Sequence, residues 1–182
     1  MMYEILKYQI VGAAVIFSVY TDVKYGKIFN KLTFPFFFLG FVYNFIFKGL
    51  SGFISSLIGF LVAFIPFFVF FQLGGVGGGD VKLLAGIGSW LGYPLILVVI
   101  FFTAIVGLFL SLIVTILKGK IGMLFGNVIE EGKEASKNIF ASFLTKNFAF
   151  YDSERKSKLH IPYSIAIAFG TFGGVFLNFL AL

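Results

Sequence analysis

The sequence predicts an all-α integral membrane protein, built as a bundle of six transmembrane helices. Only 12% of the 182 residues are charged, whereas a soluble domain carries about a quarter. The mean hydropathy is +1.03. The chain also divides into long apolar stretches, several of them near the roughly 20 residues that a membrane helix needs. Together these observations exclude an ordinary soluble domain.

The apolar stretches predict six spans within a single domain, 1–182. The fourth span is short, because its residues would rise only about 20 Å as an α-helix. It ends before Pro94, since the residue that precedes a proline avoids the helical conformation. A polar stretch at about 118–160 is predicted to form a long loop between the last two spans. The predicted spans cover about residues 5–20, 32–47, 53–73, 78–91, 94–117 and 161–182.

The positions of the basic residues predict the orientation. If the helices alternate in direction, every lysine and arginine except Lys7 and Lys48 falls on one side of the membrane. The positive-inside rule then places the N-terminus outside the cell and the 118–160 loop in the cytoplasm. The net charge of +6 is thus expected to contact anionic lipid of the plasma membrane, and no nucleic acid is expected as a partner.

The composition also restricts the chemistry of this chain. There is no cysteine, which excludes disulfides and thiolate-bound metals. The single histidine, His160, excludes the two-histidine helix of a zinc protease. We therefore expect neither a metal nor a cofactor.

Two aspartates stand apart from the other acidic residues, because both adjoin apolar spans. Asp22 follows the first span and Asp80 opens the fourth. Alternation places both at the cytoplasmic ends of their helices, so the carboxylates can meet and share a proton. The ionised member can then take a proton from water while the protonated member polarises a carbonyl. Taken singly, Asp80 is an ordinary helix N-cap and Asp22 an ordinary interfacial residue.

The stretch "GGVGGGDVK" surrounds Asp80 with glycines. Lacking side chains, Gly77, Gly78 and Gly79 are expected to let a substrate backbone approach the carboxylate. Lys82 is a candidate for electrostatic support of Asp80, or equally an anchor in the membrane interface. The glycines fit neither G-x-G-x-x-G nor a phosphate-binding loop.

Two segments resemble those of the type IV prepilin peptidases and archaeal preflagellin peptidases, the G-x-G-D aspartic proteases of membranes. One is Gly77, Gly79 and Asp80 with the following "VKLLAGIGSWLG". In the other, "DVKYGKIFNKLT", Asp22 precedes Asn30 at the family's spacing, although Phe29 stands where the family commonly has proline.

The resemblance implies an aspartic endopeptidase with Asp22 and Asp80 as its catalytic pair. Such an enzyme removes the basic leader of pilin-like or flagellin-like precursors at the cytoplasmic face of the membrane. Two alternatives stay open: a presenilin-like G-x-G-D intramembrane protease, and a non-enzymatic cation channel or transporter in which the two aspartates bind the ion.

Overall fold

The computed structural model describes residues 2–72, 76–117 and 163–180. The predicted loop at 118–160 and His160 lie outside these residues. Within them the chain is helical, without a strand, in agreement with the predicted all-α class. The helices are Met2–Tyr25 (α1), Asn30–Gln72 (α2), Gly78–Leu91 (α3), Leu95–Leu117 (α4) and Tyr163–Leu180 (α5).

Helix α2 is interrupted at Gly49, so that it consists of two limbs. Its 43 residues would extend about 65 Å as one straight helix, roughly twice the hydrocarbon thickness of a bilayer. Gly49 adopts φ 63° and ψ −149°, a conformation that costs residues with a side chain far more than it costs glycine. The first limb (30–48) and the second limb (50–72) therefore correspond to the second and third predicted spans.

Helix α3 packs between the two limbs of α2. Trp90 Nε1 donates to the Phe36 carbonyl of the first limb over 2.7 Å. On the other side, Gly59 of the second limb packs directly against Gly88, where neither residue leaves room for a side chain. All of α3 from Asp80 onward is buried except Lys82. A helix enclosed in this way meets protein, not lipid.

Asn44 of the first limb completes the end of α3. Its Nδ2 donates to the carbonyls of Ser89 and Trp90 over 3.1 and 3.0 Å. The last carbonyls of a helix have no partner within the helix, and an unpaired carbonyl costs several kcal/mol where no water is present. Asn44 thus fixes the position of α3 along α2.

The helices form two packing units. Helix α3 makes most of its contacts with α2, whereas α5 packs against α4 and α1. Gly174 of α5 is one point of close approach, since a Cβ there would lie 2.8 Å from Cγ2 of Val99 on α4. We call these groups the α2–α3 unit and the α1–α4–α5 unit. Contacts between the two units are sparser than those within them.

The described helices have the length and surface of a membrane protein. Three of them are long and apolar enough to cross a bilayer: Asn30–Gln72, Leu95–Ile113 and Tyr163–Leu180. Their outward surfaces expose large apolar side chains such as Phe38, Phe101 and Phe176, an arrangement expected where lipid replaces water. Six spans stay a prediction, because α3 is short and α1 carries charged residues near both of its ends.

Candidate active site

Asp80 lies in the first turn of α3, immediately after the glycine-rich segment. The residue is only 8% exposed, and its Oδ1 is buried without a hydrogen-bond partner among the described residues. An unpartnered buried polar atom costs about 1–3 kcal/mol, and among the described residues Asp80 Oδ1 shares this condition only with atoms of Glu4, Ser56 and Thr103. Such exceptions are expected where a group is held ready to react.

Asp22 lies in the last turn of α1. The helix ends just beyond it, where Gly26 adopts φ 63° and donates its N–H to the Asp22 carbonyl over 2.8 Å. The side chain points into the bundle, and the residue is 4% exposed. Ser164 of α5 donates its hydroxyl to Asp22 Oδ2 over 2.6 Å. The Asp22 carboxylate is therefore held inside the α1–α4–α5 unit.

The structure brings the two aspartates to the same end of the bundle, one from each packing unit. Asp22 is close enough to Asp80 for its charge to act on the Asp80 carboxyl. Within the described part of the chain, Asp80 forms no ion pair, and no three His, Asp or Glu side chains gather as metal ligands would. Two neighbouring carboxylates of this kind can share one proton.

The glycines before α3 lie where a side chain would collide with the site. A Cβ at Gly77 would stand 2.8 Å from Asp80 Oδ2, and a Cβ at Gly79 would stand 2.9 Å from Cβ of Ile28. Gly78 is less constrained, since its Cβ would meet Phe71 Cε2 at 3.2 Å. A side chain at position 77 would thus displace the Asp80 carboxylate. A side chain at position 79 would disturb the packing of the segment that leads into α2.

Lys82 was considered as electrostatic support for Asp80, but its side chain forms a hydrogen bond with Asn30. Its Nζ donates to Asn30 Oδ1 over 2.9 Å and lies 5.5 Å from the centre of the Phe34 ring. Asn30 is the first residue of α2. Lys82 therefore joins the beginning of α3, which carries Asp80, to the beginning of α2.

Tyr163 and Ser164 belong to the site although sequence analysis missed both. Tyr163 is near enough to Asp80 for the Asp80 charge to act on its phenol, and its ring packs directly on Gly107 of α4. Ser164 contacts Asp22. The sequence does contain a signal for them: polar residues at the start of an apolar span usually face the interior of the bundle, so this pair could have been identified as candidate site residues.

A second acidic group lies at the opposite end of the bundle. Glu4 of α1 forms ion pairs with Lys7 and with Lys48, the latter at 2.7 Å. These lysines are the two that the sequence placed on the opposite side from the other basic residues. Here α1 is attached to the first limb of α2 immediately before Gly49.

Comparison with known proteins adds one match. Residues 10–112 match the model of the type IV leader peptidase family, more than half of the 182-residue chain. The matched region contains Asp22 and Asp80 and ends before α5. No curated protein and no solved structure shows a match.

Proposed function

The chain belongs to the type IV leader peptidase family, and from this premise we propose that it is an aspartic endopeptidase of the plasma membrane. Its substrates would be pilin-like or flagellin-like precursors, from which it removes the basic leader. Asp22 and Asp80 would form the catalytic pair. The observation that carries the proposal is the approach of these two buried carboxylates at one end of the bundle.

Two carboxylates that share a proton can hydrolyse a peptide bond directly. One of them, ionised, takes a proton from water as the water oxygen attacks the carbonyl carbon. The other, protonated, gives its proton to the carbonyl oxygen. A neutral tetrahedral intermediate forms without a covalent bond to the enzyme. Neither a metal nor a thiol is needed.

The position of the pair supports cleavage at the membrane surface. Asp22 lies in the last turn of α1 and Asp80 in the first turn of α3, so neither carboxylate is at the middle of a helix. A peptide bond within a membrane helix is hydrogen-bonded to that helix, whereas a bond between a basic leader and a hydrophobic segment needs only local unwinding. With six spans and an external N-terminus, this surface would be the cytoplasmic one.

The direct test is cleavage of a tagged precursor by the purified protein. We expect Asp22→Asn and Asp80→Asn each to reduce cleavage by about 10²–10⁴-fold or more. The double variant should lose no further activity, since residues that act as one unit fail together. Glu4→Gln is the matched control: it also converts an acid into an amide, at the other end of the bundle, and should cleave normally. Chelators should have no effect.

The same assay separates the alternatives. Mass spectrometry of the products should place the cut between the leader and the hydrophobic segment. A cut within the hydrophobic segment would support the presenilin-like alternative. Absence of cleavage, together with cation flux in vesicles that depends on Asp80, would support a channel or transporter.

A further inference from the structure

The hydrogen bond between Ser164 and Asp22 distinguishes the two aspartates. Ser164 is completely buried, and its Oγ lies 2.6 Å from Asp22 Oδ2. This separation is in the range of hydroxyl–carboxylate bonds in which the carboxylate is ionised, about 2.5–2.7 Å. A hydroxyl group has one proton to donate, and here that proton is directed at Asp22.

Asp80 has a different environment. Its Oδ1 is buried and accepts no hydrogen bond from the described residues. A buried ionised carboxylate needs partners, and without them it is far more costly than a buried neutral carboxyl group. The backbone N–H of Gly77 donates to the Asp80 carboxyl, but among the described residues nothing donates to its Oδ1. Asp22 is therefore the carboxyl group that has a buried side-chain hydroxyl as a donor, and this donor favours its charged form.

We propose that Ser164 is a positioning residue that holds Asp22 as the ionised member of the pair, so that Asp22 is the general base and Asp80 the general acid. This inference rests on the proposed function. It also adds a contribution from α5, which lies outside the region matched by the family model.

The assignment gives a balanced reaction. As the water oxygen bonds to the carbonyl carbon, Asp22 accepts a proton from the water and Asp80 gives its proton to the carbonyl oxygen. Asp22 then gives its proton to the amide nitrogen while Asp80 takes one from a hydroxyl of the intermediate, and the C–N bond breaks. The products are a carboxylic acid and an amine, and both aspartates return to their initial states.

Substitutions at Ser164 test this assignment in the full-length protein in detergent. Ser164→Ala should lower kcat by about 10–100-fold, the usual loss when a hydrogen bond to a charged group is removed. KM should change little, because Ser164 contacts Asp22 and not the substrate. Ser164→Thr should retain most of the activity because it keeps the hydroxyl.

Ser164→Val provides the critical comparison with Ser164→Thr. Valine and threonine have the same shape, so any steric cost at this buried position is common to both variants. We expect kcat of the threonine variant to exceed that of the valine variant by about 10–100-fold. Thr171→Val is the control, since this buried hydroxyl on the same helix bonds only to the Ile167 carbonyl among the described groups.

The outcomes separate this inference from the proposed function. If Asp22→Asn and Asp80→Asn abolish cleavage while the threonine and valine variants have equal kcat, the assignment to Ser164 is overturned and the dyad stands. Equal kcat with lower thermal stability in the valine variant than in the threonine variant would show a purely structural hydrogen bond. Full cleavage by Asp22→Asn or Asp80→Asn would reject the proposed function itself.

Discussion

The acidic side chains at the two ends of the bundle have neighbours of opposite charge. Glu4 lies between two ammonium groups, those of Lys7 and Lys48. At the other end, Asp80 has a second carboxylate, Asp22, as its neighbour, and Lys82, only two residues further on, turns to Asn30 instead. An acid with basic partners stabilises the fold, whereas two acids brought together suit proton transfer. The ion pairs at the first end therefore stabilise the fold, and the second end is the candidate site for chemistry.

Labelling of single cysteines would test whether these ends lie on opposite sides of the membrane. The chain has no cysteine of its own, so Lys27→Cys and Leu50→Cys each report one position. Both side chains are exposed, that of Leu50 by 66%. In intact cells, an impermeant reagent should label only the Leu50→Cys variant, and both should react after permeabilisation. Labelling of both from outside would contradict the six-span topology.

Gly77→Ala should have a large effect on cleavage and Gly78→Ala a small one. The Cβ at position 77 would lie 2.8 Å from Asp80 Oδ2, which forces the carboxylate to move, and a displacement of about 1 Å at a catalytic group can cost about 100-fold. The Cβ at position 78 would meet only the edge of the Phe71 ring. The measurement is kcat on the tagged precursor. Equal rates in the two variants would show that Gly77 has no special relation to Asp80 and is part of an ordinary turn.

Glu4→Gln should show the reverse pattern, with reduced stability and normal cleavage. The change leaves Lys7, whose side chain is 4% exposed, without its anionic partner. Breaking a fully buried pair costs about 3–5 kcal/mol; since Glu4 and Lys48 are partly exposed, we expect about 1–3 kcal/mol. Unfolding in detergent measures this loss. Impaired cleavage without a loss of stability would mean that this end also serves the reaction.

The smallest effect is expected at the contact between Lys82 and Asn30. If Lys82 acts through Asn30, then Lys82→Ala and Asn30→Ala should reduce cleavage equally, by a few-fold, and the double variant should be no worse than either. A direct electrostatic effect of Lys82 on Asp80 would instead make the Lys82 variant clearly worse than the Asn30 variant. A double-mutant cycle on kcat separates the two cases.

The helices could be predicted from the sequence because glycine, proline and charged residues interrupt the apolar stretches. The fourth predicted span, 78–91, coincides with α3, and the break between the second and third spans coincides with Gly49. Alternation of the helices was also sufficient to place Asp22 and Asp80 at one end. These features depend only on local sequence and on counting spans.

The environment of α3 could not be predicted in the same way. In a membrane protein both the core and the lipid-facing surface are apolar, so hydrophobicity does not show which helix is enclosed. The partners of Asp22 and Lys82 were missed for a related reason. Ser164 is 142 positions from Asp22, and Asn30 is 52 positions from Lys82. Such hydrogen bonds follow from how the helices pack and leave no local pattern.

The separation between Asp22 and Ser164 has a consequence for biosynthesis. Helix α1 is translated well before α5, so Asp22 enters the membrane long before its hydroxyl donor has been made. Asp80 follows in the interval, on a helix that packs with α2. A nascent chain can therefore contain both carboxylates and still lack the bond that orients one of them. If Ser164 positions Asp22 as proposed, the candidate site is complete only after α5 has packed against α1 and α4, and insertion of that helix would be the step that activates it.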